Sequence, residues 1–194
     1  DPKLNMLINT LQVENLTIGT GSSLKGNDLD IYVSDTWTNN AGLTGFDAGP
    51  NDLGTVYCIG SRVDLFNETQ FNNLSNNTTD RLNLNAATEI FTNNVENTFR
   101  IFTNDNLFHV TGDLINSGSF YSNVGASLVF DGSRRQFIST NRPQGSYNRS
   151  DISRVRIDNQ LGVELLQIAG KPLFSYNTQA IELVNGNFII GDNF

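Results

Sequence analysis

The chain carries an internal echo. Val33-Ser34-Asp35-Thr36-Trp37-Thr38-Asn39-Asn40 is matched by Val110-Thr111-Gly112-Asp113-Leu114-Ile115-Asn116-Ser117, an offset of 77 residues. Thr55-Val56-Tyr57-Cys58-Ile59-Gly60-Ser61-Arg62 is matched by Ser127-Leu128-Val129-Phe130-Asp131-Gly132-Ser133-Arg134, an offset of 72. A repeat constrains the fold more than any local signal, because each copy must build the same supersecondary unit. The echoes fall on short alternating strands punctuated by Asn and Gly, and the unequal offsets predict an insertion in the loop around Phe46 to Leu53. The reading is of repeat units over residues 24–100 and 101–170, with a further unit starting at 171–194, in one 194-residue solenoid segment.

Alternation supports strands throughout. Leu82-Asn83-Leu84, Val155-Arg156-Ile157, Val163-Glu164-Leu165 and Ile181-Glu182-Leu183 each present one apolar and one wet face. Strands are expected at 12–18, 29–34, 55–59, 62–66, 81–85, 89–92, 99–103, 107–111, 127–130, 136–139, 154–158, 163–168, 180–184 and 187–190, with the polar stretch 72–80 as a protruding loop. No dozen residues keep helical spacing without an interrupting Asn, Gly or Pro. The fold class is therefore all-β. A right-handed parallel β-helix reuses the same turn at each rung and so explains the echo, whereas a β-sandwich, the runner-up, pairs distant strands and seldom repeats. Stacked Asn side chains at the bends would form hydrogen-bonded ladders. The closing run Asn187 to Phe194 reads as a strand entering another turn, so the chain is expected to continue in a longer protein.

Hydrophobic residues make up 38% and charged residues only 16%, so polarity comes mainly from turn-forming uncharged residues. Twelve Lys and Arg against 20 Asp and Glu give a net charge of −8, which opposes a phosphate backbone or an anionic lipid surface. Neither nucleic-acid binding nor membrane insertion is expected, and no apolar run is long enough to span a bilayer. The lone cysteine, Cys58, lies in an apolar strand and reads as a buried inert thiol.

The run Val110-Thr111-Gly112-Asp113-Leu114-Ile115-Asn116-Ser117-Gly118-Ser119-Phe120, followed by Leu128-Val129-Phe130-Asp131-Gly132-Ser133 and Gln136-Phe137-Ile138, resembles the β-helical repeat region of large surface proteins and adhesins of Bacteroidota. The match spans roughly Leu24 to Gln167. Its first copy departs from it, with Asp35 at the Gly112 position and Trp37 at the Leu114 position. The resemblance implies a cell-surface destination, export by the type IX secretion system, and roles as adhesin, stalk or passenger of the export apparatus. Implied partners are cell-surface glycans, other proteins or the secretion machinery.

Chemistry is sparse. His109, the single histidine, faces away from Phe108 and Val110 and reads as a surface strand residue rather than a general base. β-Helices also carry polysaccharide lyases and glycosidases, so the carboxylates are candidates: Asp28 and Asp30 on one strand, Asp47 and Asp52 flanking Gly49-Pro50, and Asp151 and Asp158 around Arg154 and Arg156. Asp47 and Asp52 are weak candidates for a structural Ca²⁺, a hard cation that takes several oxygens. No other cofactor is implied. Arg134, Arg135, Arg142, Arg149, Arg154 and Arg156 concentrate the positive charge beside Phe137 and Tyr147. Arg forks and an aromatic platform suit an acidic glycan, so Arg134, Arg135, Tyr147, Arg154 and Arg156 are candidate ligand residues, with Trp37 as a sugar-stacking candidate. Against this, the arginines balance nearby acids and Trp37 takes a core position. The expected function is a non-catalytic structural or adhesive solenoid. The alternatives are a carbohydrate-active β-helix enzyme and an accessory chain bound to the export machinery.

Overall fold

The computed structural model describes residues 10–49, 53–85, 89–123, 125–142, 153–170 and 180–190. Among the described residues every strand pairing is parallel, which excludes the antiparallel sandwich and makes the fold a parallel β-solenoid. Among the described residues the one helical piece is a 3₁₀ turn at Gly42–Thr44.

The coil has three faces. The first is built from the opening halves of Thr10–Ile18 and Asp30–Asn39, then Thr55–Cys58, the closing halves of Thr69–Asn76 and Ile90–Asn97, then Leu114–Asn116, Gln136–Arg142, Val163–Gly170 and Phe188–Ile190. The second takes the closing halves of Thr10–Ile18 and Asp30–Asn39, then Arg62–Phe66, Arg81–Leu84, Arg100–Asn104 and Ser119–Ser122. The third takes the opening halves of Thr69–Asn76 and Ile90–Asn97, then Leu107–Val110, Ser127–Phe130, Arg154–Asp158 and Ala180–Asn185. A small separate pair, Leu24–Lys25 with Phe46–Asp47, precedes it.

Register fixes which side chains stack. On the first face Leu11, Ile31, Val56, Leu74, Val95, Leu114, Ile138, Leu165 and Ile190 lie one over another, at steps of 18 to 27 residues. Val63, Leu82, Ile101 and Phe120 stack on the second face, and Ile90, Phe108, Leu128 and Val155 on the third, all buried. Burying one such side chain contributes roughly 1.5–3 kcal/mol, and each contacts a like neighbour above and below, so the core is continuous along the axis.

The echoed blocks, read from the sequence as units of about three coils each, do not span a whole number of coils. A single coil repeats, and the echoed segments are displaced by three coils and two faces: Val33 and Val56 belong to the first face, Val110 and Leu128 to the third. The echo is the reuse of a strand, corner and strand on different sides of the prism. The stretch 72–80 is not a protruding loop either. Residues 72–76 continue the strand Thr69–Asn76, with Leu74, Ser75 and Asn76 buried.

Asn ladders are present and explain that error. Asn76, Asn97 and Asn116 are adjacent in register and fully buried where the first face turns toward the second. Asn76 Nδ2 donates to Asn97 Oδ1 at 2.7 Å, and Asn97 Nδ2 to Asn116 Oδ1 at 2.7 Å. The same column begins with Val13, Val33 and Cys58, so polar and apolar rungs share one stack. The motif glycines allow close contact between coils. A Cβ on Gly118 would collide with Phe99 O, and one on Gly132 with Thr111 O. Gln136 closes the latter corner, accepting from Gly132 N and donating to Val110 O and Gly112 O.

Candidate functional site

Arg134, Arg135 and Arg156 of the arginine cluster each pair with an acid. Arg134 reaches back one rung and forks onto Asp113 at 3.2 and 3.0 Å, while Arg135 reaches forward to Glu164 at 2.5 Å. Arg156 pairs with Asp158 on its own strand at 3.3 Å, and Arg154 is exposed at the start of that strand. Three of these guanidinium groups thus neutralise acids along the stack. Arg142 ends the strand Gln136–Arg142, and Tyr147, Arg149, Asp52 and Asp151 lie outside the described residues.

Trp37 is removed as a sugar platform. It is 0% exposed, lies edge-on to Phe46 and Phe71 at 5.0 and 5.1 Å, and its Nε1 donates to Thr69 Oγ1. The reason is register: Trp37 stacks over Leu65 on the inward column of the second face.

The acids serve the backbone beside them. Asp28 is in a turn at φ 62° ahead of the strand that begins at Asp30, so the two do not alternate on one strand. Asp28 Oδ1 accepts Leu53 N, Asp30 Oδ1 accepts Thr55 N, and Asp47 Oδ1 accepts Gly49 N. Asp64 accepts from Arg62, Asn83 and Asn85. Burial pushes its carboxyl up, but these hydrogen bonds and the Arg62 charge outweigh burial and hold it below the usual carboxylate range. Among the described residues no three His, Cys, Asp or Glu side chains are grouped to hold a cation. Cys58 is fully buried, and burial pushes its thiol up to about 12, so it carries no thiolate near neutrality.

Two features escape a reading of single strands. The first is a three-rung ionic bridge on the third face, where His109 Nδ1 lies 2.6 Å from Asp131 Oδ2 and Nε2 lies 3.0 Å from Glu89 Oε1. Both ring nitrogens face carboxylates, so both contacts are attractive only for the doubly protonated imidazolium. Burial opposes that charge, but the bonds and attraction of Asp131 and Glu89 outweigh it and raise the pKa above its ordinary value. The signal was available once the coil length was known, since residues 89, 109 and 131 are about one coil apart. Phe91 stacks on the imidazole at 4.4 Å, as Phe102 does on Tyr121 and Tyr32 on Tyr57, both at 4.7 Å. These separations are the rung spacing, so the rings stack along the axis and turn their edges outward.

The second feature is a groove of about 700 Å³ at the corner of the third and first faces. Gln70, Asn72, Phe91, Asn93 and Thr111 form its floor, and Leu43, Phe46 and Asp47 of the inserted loop overhang it. No sequence signal places that loop over that corner.

Fold and surface define a parallel β-solenoid whose polar groups are organised in ladders along its axis. No protein-family description, curated protein or solved structure matches the chain.

Proposed function

We propose that this chain is a non-catalytic structural and adhesive β-solenoid of a bacterial cell surface, exported by the type IX pathway. The observation that carries the reading is the engagement of its polar side chains within the stack. Asp30, Asp113 and Asp158, acids that a polysaccharide-degrading enzyme would aim at substrate, instead accept bonds from the next rung. Such cross-rung bonding resists bending and shear, which a projecting stalk requires and a catalytic cleft does not. Destination and export route rest on the resemblance of residues 110–120 to the surface repeats of Bacteroidota. Partners on this reading are glycans, neighbouring surface proteins or the export machinery.

One observation favours a carbohydrate-active enzyme: Glu89 and Asp131 share one imidazole, an arrangement able to carry a proton. Incubation with pectin, alginate and bacterial glycans separates the two readings. The scaffold reading expects no new reducing ends and no unsaturated products, and clear release that is lost in His109→Gln would replace it with the enzyme. Labelling of intact source cells with an antibody to this region tests the destination. Signal confined to lysed cells, or undiminished when type IX export is disabled, would refute that part.

A further inference from the structure

We propose that the corner groove overhung by residues 43–48 binds a short neutral oligosaccharide. The proposal rests on the adhesive reading above and supplies the chemistry of the ligand. A cavity of about 700 Å³ lies within the range of about 300–1,000 Å³ typical of small-ligand sites. Its floor carries the amides of Gln70, Asn72 and Asn93 and the hydroxyl of Thr111. Amides and hydroxyls both donate and accept, as a sugar hydroxyl does, and two of these groups already donate long bonds, Asn93 Nδ2 to Asn72 Oδ1 at 3.5 Å and Thr111 Oγ1 to Thr92 O at 3.4 Å. Such a floor penalises an apolar ligand, which would desolvate the amides without replacing their bonds.

Phe91 supplies the apolar element. Its ring is held at 4.4 Å and 20° against His109, and with Gln70 in register on its other side it turns an edge toward the groove. The C–H groups of a pyranose pack against that fixed apolar edge, with little rotamer freedom left to lose. Charge selects among sugars. Asp47 is the only charged residue among the described lining residues, and the chain as a whole carries −8. A uronate or sulfated glycan would meet a carboxylate without a facing Lys or Arg, whereas Asp47 can accept two hydroxyls of a neutral sugar.

The groove also has a built-in reporter. Trp37, the single tryptophan, lies edge-on to Phe46 and Phe71, and both of those rings line the groove. The 194-residue chain is titrated with neutral oligosaccharides from β-glucan, xylan and mannan, and with oligogalacturonate and oligoalginate, reading Trp37 emission and heat of binding. The expected result is saturable binding of at least one neutral series and silence from both anionic ones. Phe91→Leu should then weaken affinity about tenfold. Gln70→Ala, at an exposed position where the fold is not at risk, should weaken it about fivefold. Ser61→Ala, exposed and outside the groove, should leave it unchanged. Silence from all neutral sugars in a folded protein, binding of the anionic series alone, or unchanged affinity in both groove variants overturns the assignment. Silence with cell-surface labelling intact removes the groove and leaves the scaffold reading standing. Lost labelling with sugar binding intact does the reverse.

Discussion

Asn97 is the middle rung of the buried ladder, and replacing it with leucine isolates what the ladder contributes. Leucine is close to asparagine in size, so the substitution removes the amide without opening a large cavity. In Asn97→Leu one N–H of Asn76 loses its acceptor and Asn116 Oδ1 loses its donor, both in the interior, while the 3.4 Å contact to Ser119 O also goes. An orphaned buried polar group costs about 1–3 kcal/mol, so two cost about 2–6 kcal/mol, partly offset by the added apolar surface. A net loss of about 3 kcal/mol lowers the melting temperature of a chain this long by about 6–12 °C. Thermal unfolding followed by circular dichroism and Trp37 emission reads it.

The decisive comparison is the cycle with Asn116→Leu. In the double variant the orphan on Asn116 no longer exists, so the loss should fall short of the sum of the singles by about 1–2 kcal/mol. The column already accommodates Val13, Val33 and Cys58, so apolar rungs at these positions are not foreign to it. A single variant within about 0.5 kcal/mol of the parent, or a strictly additive double, would refute the claim that the amides act as a chain of mutually dependent bonds.

Three further outcomes follow from local geometry. His109 has a raised folded pKa, so its bridge contributes stability that is complete below the unfolded value of about 6.5 and disappears as pH rises through the folded value. The melting temperature should therefore fall from pH 6 toward pH 9 in the parent and stay flat in His109→Gln, and parallel profiles would exclude the bridge. Gly118→Ala should cost roughly 1–3 kcal/mol or more, because its Cβ meets backbone, whereas Gly125→Ala, with nothing within 4 Å, should be near neutral in the same melting assay. Cys58 should resist a chromogenic disulfide reagent in the native state and react at once in denaturant, and rapid native labelling would contradict its burial.

The strands legible in the sequence were those whose inward positions are apolar: Arg62–Phe66, Ser127–Phe130 and Arg154–Asp158 appear with their bounds as expected, the first and last because alternation of Val, Leu and Ile marks one dry face, and Ser127–Phe130, buried at all four positions, by its apolar run. Among the strands missed were Leu114–Asn116, Ser119–Ser122, all of Thr69–Asn76 and the first-face half of Ile90–Asn97. Three of these four carry a buried Asn at an inward position, and Asn in isolation signals a turn. What makes it a strand residue is another Asn a coil away, so the information lies in the pairing and not in the segment. The same logic separates the surface features. Arg134 looks like a free cation until Asp113 is found one rung back, and His109 looks like a plain surface residue until Glu89 and Asp131 are found on either side. In a solenoid the neighbour that decides a side chain's role is about 20 residues distant. Coil length is therefore the quantity to establish before any polar residue is assigned to chemistry, and the 77-residue echo misled because it spans three coils and two faces instead of a whole number of coils.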